Sequence, residues 1–253
     1  MVDQIRRIDL NCDMGELIDG RHNNDQEFMP YISSCNVSCG FHSGDSYTIQ
    51  RSIMSAIQHG VKVGAHPSYN DKENFGRKSL DVPLNVLSAE IRYQVSAIKS
   101  MTESLGGRLH HTKAHGALYN LMNSNVDLAH HYIQVIKSID PQLIIYAMDK
   151  SCIIDVCREY KMNYKCEVFI DRNYSNEKTL VPRSQHNALI ESEKEIYTRI
   201  DNIINYKLKD INQISHQISV DTICIHSDTP NALAIAKKTN AYLKSKSIEI
   251  SAD

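Results

Sequence analysis

Three stretches of this chain alternate polar and apolar residues so that reactive side chains share one strand face. Asp9, Asn11 and Asp13 are spaced by two, with Leu10 and Cys12 between them. His111, Lys113 and His115 repeat the pattern, and Cys224, His226 and Asp228 do so again. Successive side chains of a strand point to opposite faces, so each triplet points one way. Carboxylates and imidazoles that converge suit a divalent metal or general acid–base work. The lysine would stabilise a developing oxyanion or phosphate charge. Burying a lone carboxylate is costly, so these faces need water, a metal or partners.

Two further histidines follow apolar segments, in Cys39-Gly40-Phe41-His42-Ser43-Gly44-Asp45 and in His66-Pro67-Ser68-Tyr69-Asn70-Asp71. Between them Ile49, Ile53, Ala56 and Ile57 recur at helical spacing, and His59-Gly60 is a stop signal. The run therefore reads strand, helix, strand, with a histidine just past each strand end. In parallel α/β folds that edge is where ligands bind. His42, His66 and His115 fall at the same end of successive strands and are read as functional. His59 and His216 are read as hydrogen-bonded structural residues, and His110, His130 and His131 as surface or helix-face residues. Asp9 is as well explained by an ion pair in the floor of the fold as by a site. Arg77 and Arg172, on the two longest loops, suit an anionic substrate or phosphate.

The elements that position these residues alternate throughout. Strands are predicted at 8–12, 32–38, 61–65, 108–112, 143–147, 164–169, 222–225 and 248–250. Helices are predicted up to His59 and at 84–105, 126–139, 152–160, 191–208 and 231–244. Long polar loops cover 67–83 and 171–189, and loops of that length are usually functional or mobile. There is no composition break or internal linker, so residues 1–253 read as one parallel α/β domain. A closed or nearly closed (β/α) barrel of seven or eight strands is the first choice, and an open doubly wound sheet the second.

Bulk properties exclude several classes. The chain has 253 residues and net charge −2, which points to neither nucleic acid nor a membrane surface as partner. The N-terminal residues lack an apolar run of signal-peptide length, and no run is long enough to span a bilayer. A cytoplasmic protein is the expectation. The seven cysteines form no CxxC pair, and are read as reduced, mostly buried thiols. No G-x-G-x-x-G or P-loop sequence is present.

Taken together, Asp9 to Glu16, Cys39 to Asp45, Gly64 to Tyr69 and His115-Gly116-Ala117-Leu118-Tyr119-Asn120 resemble the LamB/YcsF family. The resemblance continues through Phe75-Gly76-Arg77, Asp171-Arg172-Asn173-Tyr174 and Leu180-Val181-Pro182-Arg183 to His226-Ser227-Asp228-Thr229-Pro230, in order along nearly the whole chain. It implies a distorted (β/α) barrel similar to the glycoside hydrolase/deacetylase superfamily. It implies the A component of a 5-oxoprolinase, which with B and C components converts 5-oxo-L-proline to L-glutamate with hydrolysis of ATP (Mg2+ expected). By analogy with the related deacetylases, a divalent metal would fall to Asp13, His42 and His66. The chain departs from the family's usual pattern at Ala114, Ser227, Lys178 and Asn187, which touch loop geometry rather than charge.

The resulting site expectation has Asp13, Glu16, Lys113 and His115 as catalytic. Asn11, His42, Asp45, Arg77, Tyr119, Arg172, Arg183, His226 and Asp228 are expected to bind substrate. A stand-alone metal-dependent deacetylase or amidase, and a binding component without chemistry, are the alternatives. A homo-oligomer is left open. Asp13, at a strand edge, is expected to be partly solvated, so that Asp13→Asn costs turnover rather than stability. Asp9, deeper in the strand, is expected to matter to the fold.

Overall fold

The computed structural model describes residues 7–18, 20–22, 24–190 and 192–253. Seven parallel strands close into a barrel: β1 (Arg7–Met14), β2 (Ser34–Ser38), β3 (Lys62–His66), β4 (Leu109–Thr112), β5 (Ile144–Met148), β6 (Tyr164–Phe169) and β7 (Thr222–Ile225). Each pairs with the next, and β7 returns to pair with β1, Asn11 opposite Cys224. A short β8 (Glu249–Ile250) adds to the outer side of β1 near Arg7. Helices α1 (Ser46–Gln58), α2 (Leu84–Ser104), α3 (Gly116–Met122), α4 (Val126–Ile139), α5 (Cys152–Tyr160), α6 (Glu193–Ile203) and α7 (Ala232–Ser245) fill the crossovers.

The local reasons are ordinary. Helix α4 buries Leu128, Ala129, Tyr132, Ile133 and Ile136 along one stripe, the 3.6-residue period that docks a helix on a sheet. The Asn125 side chain caps it by accepting from the Leu128 N–H at 3.0 Å. In β1, Leu10, Cys12 and Met14 are fully buried against the helices, while Asp9, Asn11 and Asp13 face the barrel interior, where they meet residues of other strands. The barrel axis is thus polar and the shell between strands and helices is apolar.

The predicted elements are found with ends shifted by one or two residues, with five differences. The 17–30 stretch, read as a polar connection, holds an antiparallel hairpin, Leu17–Ile18 with Arg21–His22, and two 3-10 turns, Asp25–Glu27 and Met29–Tyr31. The predicted start of α6 at Glu191 lies outside the described residues, and that helix ends at Ile203 rather than 208. An antiparallel hairpin, Lys207–Lys209 with Ser215–Gln217, follows it. Within the 171–189 loop a second hairpin pairs Tyr174–Asn176 with Thr179–Leu180. Helix α3 is a further addition, since Gly116 at its start reads as a turn signal. All seven cysteines are free. Among the described residues no helix is long and apolar enough to cross a membrane.

Candidate active site in the barrel mouth

The C-terminal ends of the strands surround a cavity of about 730 Å³. Asp13, His66, Lys113, His115, Phe169 and His226 line its inner wall, and Arg77, Arg172 and Arg183 lie among its loop residues. At its base, Lys113 Nζ stands 3.0 Å from Asp13 Oδ1, 2.9 Å from Cys224 Sγ and 3.3 Å from Glu167 Oε1. It lies 5.3 Å from the centre of the Phe169 ring, a cation–π distance.

The partners hold Lys113 charged. Burial alone would lower its pKa, but Asp13 in the first place, with Cys224 and Glu167, raises it well above the usual lysine value. The same pairing acts on Asp13. Burial would raise its carboxyl, but His66 and Lys113 hold it well below the usual carboxylate range. Asp13 is only 3 % exposed, which corrects the expectation of a partly solvated strand-edge carboxylate. Asn36, His66 and Lys113 from neighbouring strands enclose it, so removing its charge disturbs a buried ion pair and costs stability.

Beside this pair stand three histidines and a glutamate, all buried. His42 Nε2 is 2.9 Å from Glu16 Oε1 and His42 Nδ1 is 3.0 Å from Ser68 Oγ. His66 Nδ1 donates to the Lys113 carbonyl at 2.7 Å, and His115 Nε2 to the Phe75 carbonyl at 2.8 Å. His66 Nε2 and His115 Nδ1 face each other at 3.0 Å. The His42 and His115 rings stack at 3.8 Å. Burial, with neighbouring imidazoles, holds both His42 and His115 neutral. Burial, with Asp13 and Asp228 nearby, pushes the Glu16 carboxyl well up. The 67–83 loop reaches this cluster because of Gly76: with φ of +66°, a Cβ there would lie 2.8 Å from His42 Cβ and 2.9 Å from His115 Cδ2.

Glu16, His42, His66 and His115 each offer one donor atom, all within 4.8 Å of one another, and could hold a metal ion. The expected set of Asp13, His42 and His66 is regrouped. Asp13 belongs with Cys224 and His226, and there the Lys113 ammonium already neutralises it. His42 stands behind His66 and His115 and is not on the cavity wall.

The cavity mouth carries the charge of the loops. Asp228 is gripped by both Arg77 and Arg183, the latter at 3.1 Å, so a loop after β7 ties together the two long loops. Arg172 is buried and donates to the carbonyls of Val181 and Ala188; it shapes the 171–189 loop although it also lines the cavity. Tyr119 lines the cavity and packs edge-on against Phe169 at 5.6 Å. His226 stacks on Phe169 at 5.0 Å and its Nδ1 bonds to Asp171 at 3.0 Å.

Five expected site residues are not on the cavity wall: Glu16, His42 and Asp228, placed above, and Asp45 and Asn11. Asp45 is exposed and caps α1, accepting from the Thr48 N–H at 2.8 Å. Asn11 is fully buried one layer below the lysine, donating to Glu167 at 3.0 Å and Thr222 at 2.7 Å. Conversely, Glu167 and Phe169 belong to the site without standing out in the sequence. A lone carboxylate between the buried Cys166 and Val168 of β6 is the available signal for Glu167, because such a group needs a buried partner.

The chain matches the LamB/YcsF family over residues 8–252. It is 35 % identical over 248 residues to a protein of Bacillus cereus (strain AH187) named as the A component of 5-oxoprolinase, covering 97 % of this chain and 98 % of that one. Among solved structures, a lactam utilization protein from Thermus thermophilus superposes with a TM-score of 0.89 at 30 % identity, over 98 % of this chain and 100 % of that one. A family 4 carbohydrate esterase from Streptomyces lividans, at 12 % identity and TM-score 0.51, covers 98 % of this chain and 93 % of its own and shares the fold alone. On the extent of the match and the fold it predicts, this chain is a member of the LamB/YcsF family.

Proposed function

We propose that this chain is the lactam-opening component of an ATP-dependent 5-oxoprolinase, acting with B and C components to convert 5-oxo-L-proline to L-glutamate. The observation that carries this is the Asp13–Lys113 pair at the base of a cavity with Arg77 and Arg183 at its mouth. The substrate has a carboxylate and, at the other side of a small ring, an amide carbonyl. The arginines suit the carboxylate, and Lys113 is a fixed cation for charge developing on the carbonyl oxygen. Asp13 keeps the lysine in place.

A five-membered lactam is a stable amide, and phosphorylation of its carbonyl oxygen would make the carbon electrophilic. The chain has no P-loop sequence, so ATP, with Mg2+, is assigned to a partner protein of the complex, while the activated lactam is assigned to this chain. Two Bacillus cereus relatives carry names that make them one component of a larger 5-oxoprolinase, which supports this division. The test is glutamate release from 5-oxoproline and ATP by the purified chain with and without the B and C components. Release only by the complete set is expected. Comparable turnover by the chain alone would overturn the division of labour. A metal-dependent amidase acting alone is the second reading, favoured by the glutamate and three histidines, and it requires turnover without ATP.

A further inference from the structure

The outward hydrogen bonds of the three buried histidines fix their tautomers. The Lys113 and Phe75 carbonyls can only accept, so His66 carries its proton on Nδ1 and His115 on Nε2. The Ser68 hydroxyl donates to the Tyr69 carbonyl at 2.9 Å, so it accepts from His42 Nδ1. In its neutral form each ring therefore spends its N–H on the surrounding protein and turns a lone pair inward. His42 Nε2 and His115 Nδ1 face the Glu16 carboxyl group at 2.9 and 3.9 Å, and His66 Nε2 lies within 4.8 Å of it. A proton on Glu16 would satisfy His42 across their 2.9 Å contact. It would still leave His66 Nε2 and His115 Nδ1 lone pair to lone pair at 3.0 Å, a repulsive arrangement in a buried site.

We infer that Glu16, His42, His66 and His115 form a resident binding site for one divalent late first-row metal ion, with Asp13 outside the ligand set. Three imidazoles and one carboxylate suit Zn2+ and its neighbours rather than Mg2+ or Ca2+, which prefer oxygen. The outward bonds of His66 and His115 are those that orient metal-bound histidines. The spacing is near what an ion needs, and the stacked, nearly parallel His42 and His115 rings would tilt to face it together. With bonds of about 2.0–2.1 Å a tetrahedral zinc holds its ligand atoms about 3.3 Å apart, and three of the donor pairs here stand at 2.9, 3.0 and 3.9 Å. Asp13 Oδ2 is 3.4 Å from His66 Nε2, but its other oxygen is committed to Lys113. A bound ion would supply Lewis acidity behind the wall formed by His66 and His115.

The test reads binding without substrate or partner proteins, so it stands or falls apart from the proposed reaction. The full chain is stripped with a chelator and titrated with Co2+, whose visible absorption reports nitrogen and oxygen ligands in a low-symmetry site. Zn2+ uptake is counted by elemental analysis, and thermal unfolding is followed with and without Zn2+. One ion per chain, the cobalt spectrum and a raised Tm are expected. Glu16→Gln and His115→Gln should weaken Zn2+ at least about 100-fold, and Asp13→Asn by less than about 10-fold. Near-ultraviolet circular dichroism keeps only variants that fold; if one of the two ligand variants does not, the other decides. A folded wild-type chain that takes up neither ion would overturn the site. Loss of binding in Asp13→Asn with retention in folded Glu16→Gln would overturn the ligand set.

Discussion

Asp9 and Asp13 lie on the same face of the same strand, four residues apart, and are both almost fully buried, yet the barrel treats them in opposite ways. Asp9 is surrounded by neutral hydroxyl groups: Ser33 donates at 2.6 Å, Ser34 at 2.8 and 2.9 Å, and Thr222 at 2.8 Å. Its charge is dispersed into fixed dipoles of the strands that make the floor. Asp13 instead faces an ammonium and an imidazole, and only Asn36, at 2.8 Å, donates to it from below. The floor is dense with hydrogen bonds among its own side chains. The mouth is held by charges, and its groups open onto a cavity. Under the proposed function, position along one strand decides whether a buried carboxylate serves the fold or the chemistry.

The two layers are joined by amides. Asn36 donates to both Asn11 and Asp13, and Asn11 passes the ladder to Thr222 and so to Asp9. His111 bonds to Asn36 at 2.8 Å across Gly64. That crossing requires glycine, since a Cβ on residue 64 would lie 2.2 Å from His111 Nε2.

The comparison is broken most severely at Lys113. Lys113→Met leaves Asp13 and Glu167 without their shared cation, so stability should fall by about 3–5 kcal/mol. Turnover of the complete complex should fall by about 10²–10³-fold or more, as when a donor to a developing oxyanion is lost. Urea unfolding and glutamate release check the two parts. A stable variant with normal turnover would mean that the ammonium serves neither layer.

Exchanging the carboxylates one at a time is the sharper test. Asp13→Asn should lower turnover by about 10²-fold through misplacing the lysine and cost about 1–3 kcal/mol, because Glu167 still faces the lysine. Asp9→Asn should cost a similar 1–3 kcal/mol, since an amide NH2 set among hydroxyl donors leaves bonds unmade, while turnover of the folded fraction stays within about twofold. Equal losses of turnover in the two variants would dissolve the distinction between floor and mouth.

Much of this was legible in the sequence. The period-two polar triplets placed Asp13, Lys113 and His226 on the interior face, and strand–helix alternation gave the barrel. What local pattern does not carry is depth and partner choice. Asp13 resembles a strand-edge residue until Asn36, His66 and Lys113 from neighbouring strands enclose it. Asp45 sits beside His42 in the sequence, but the chain turns at Gly44 and hands Asp45 to the N-terminus of α1. The exchange of Asp13 for Glu16 and His115 around His42 and His66 depends on contacts between loops from three different strands, which no spacing rule encodes.

The smallest expected effect concerns histidines of the two layers. His110 is at the floor end of β4, where its Nδ1 meets His111 Nδ1 at 3.1 Å, while His115 follows the same strand at the mouth. Burial, helped by Lys165, pushes the His110 pKa down to about 4, against about 6.5 in an unfolded chain. Between those values the unfolded chain binds a proton that the native one does not, so stability falls as pH drops from about 6.5 to 4. Allowing for partial solvent access, this group should account for about 1–2 kcal/mol of that loss. The other buried neutral histidines act in the same direction, so the measurement is the difference between His110→Gln and wild type. Urea midpoints taken from pH 7.5 down to 4.5 should decline less steeply in the variant, while the pH profile of turnover keeps its shape. A variant with an unchanged stability slope would show that the fold does not lower the His110 pKa. A shifted turnover profile would show that the floor and the mouth titrate together.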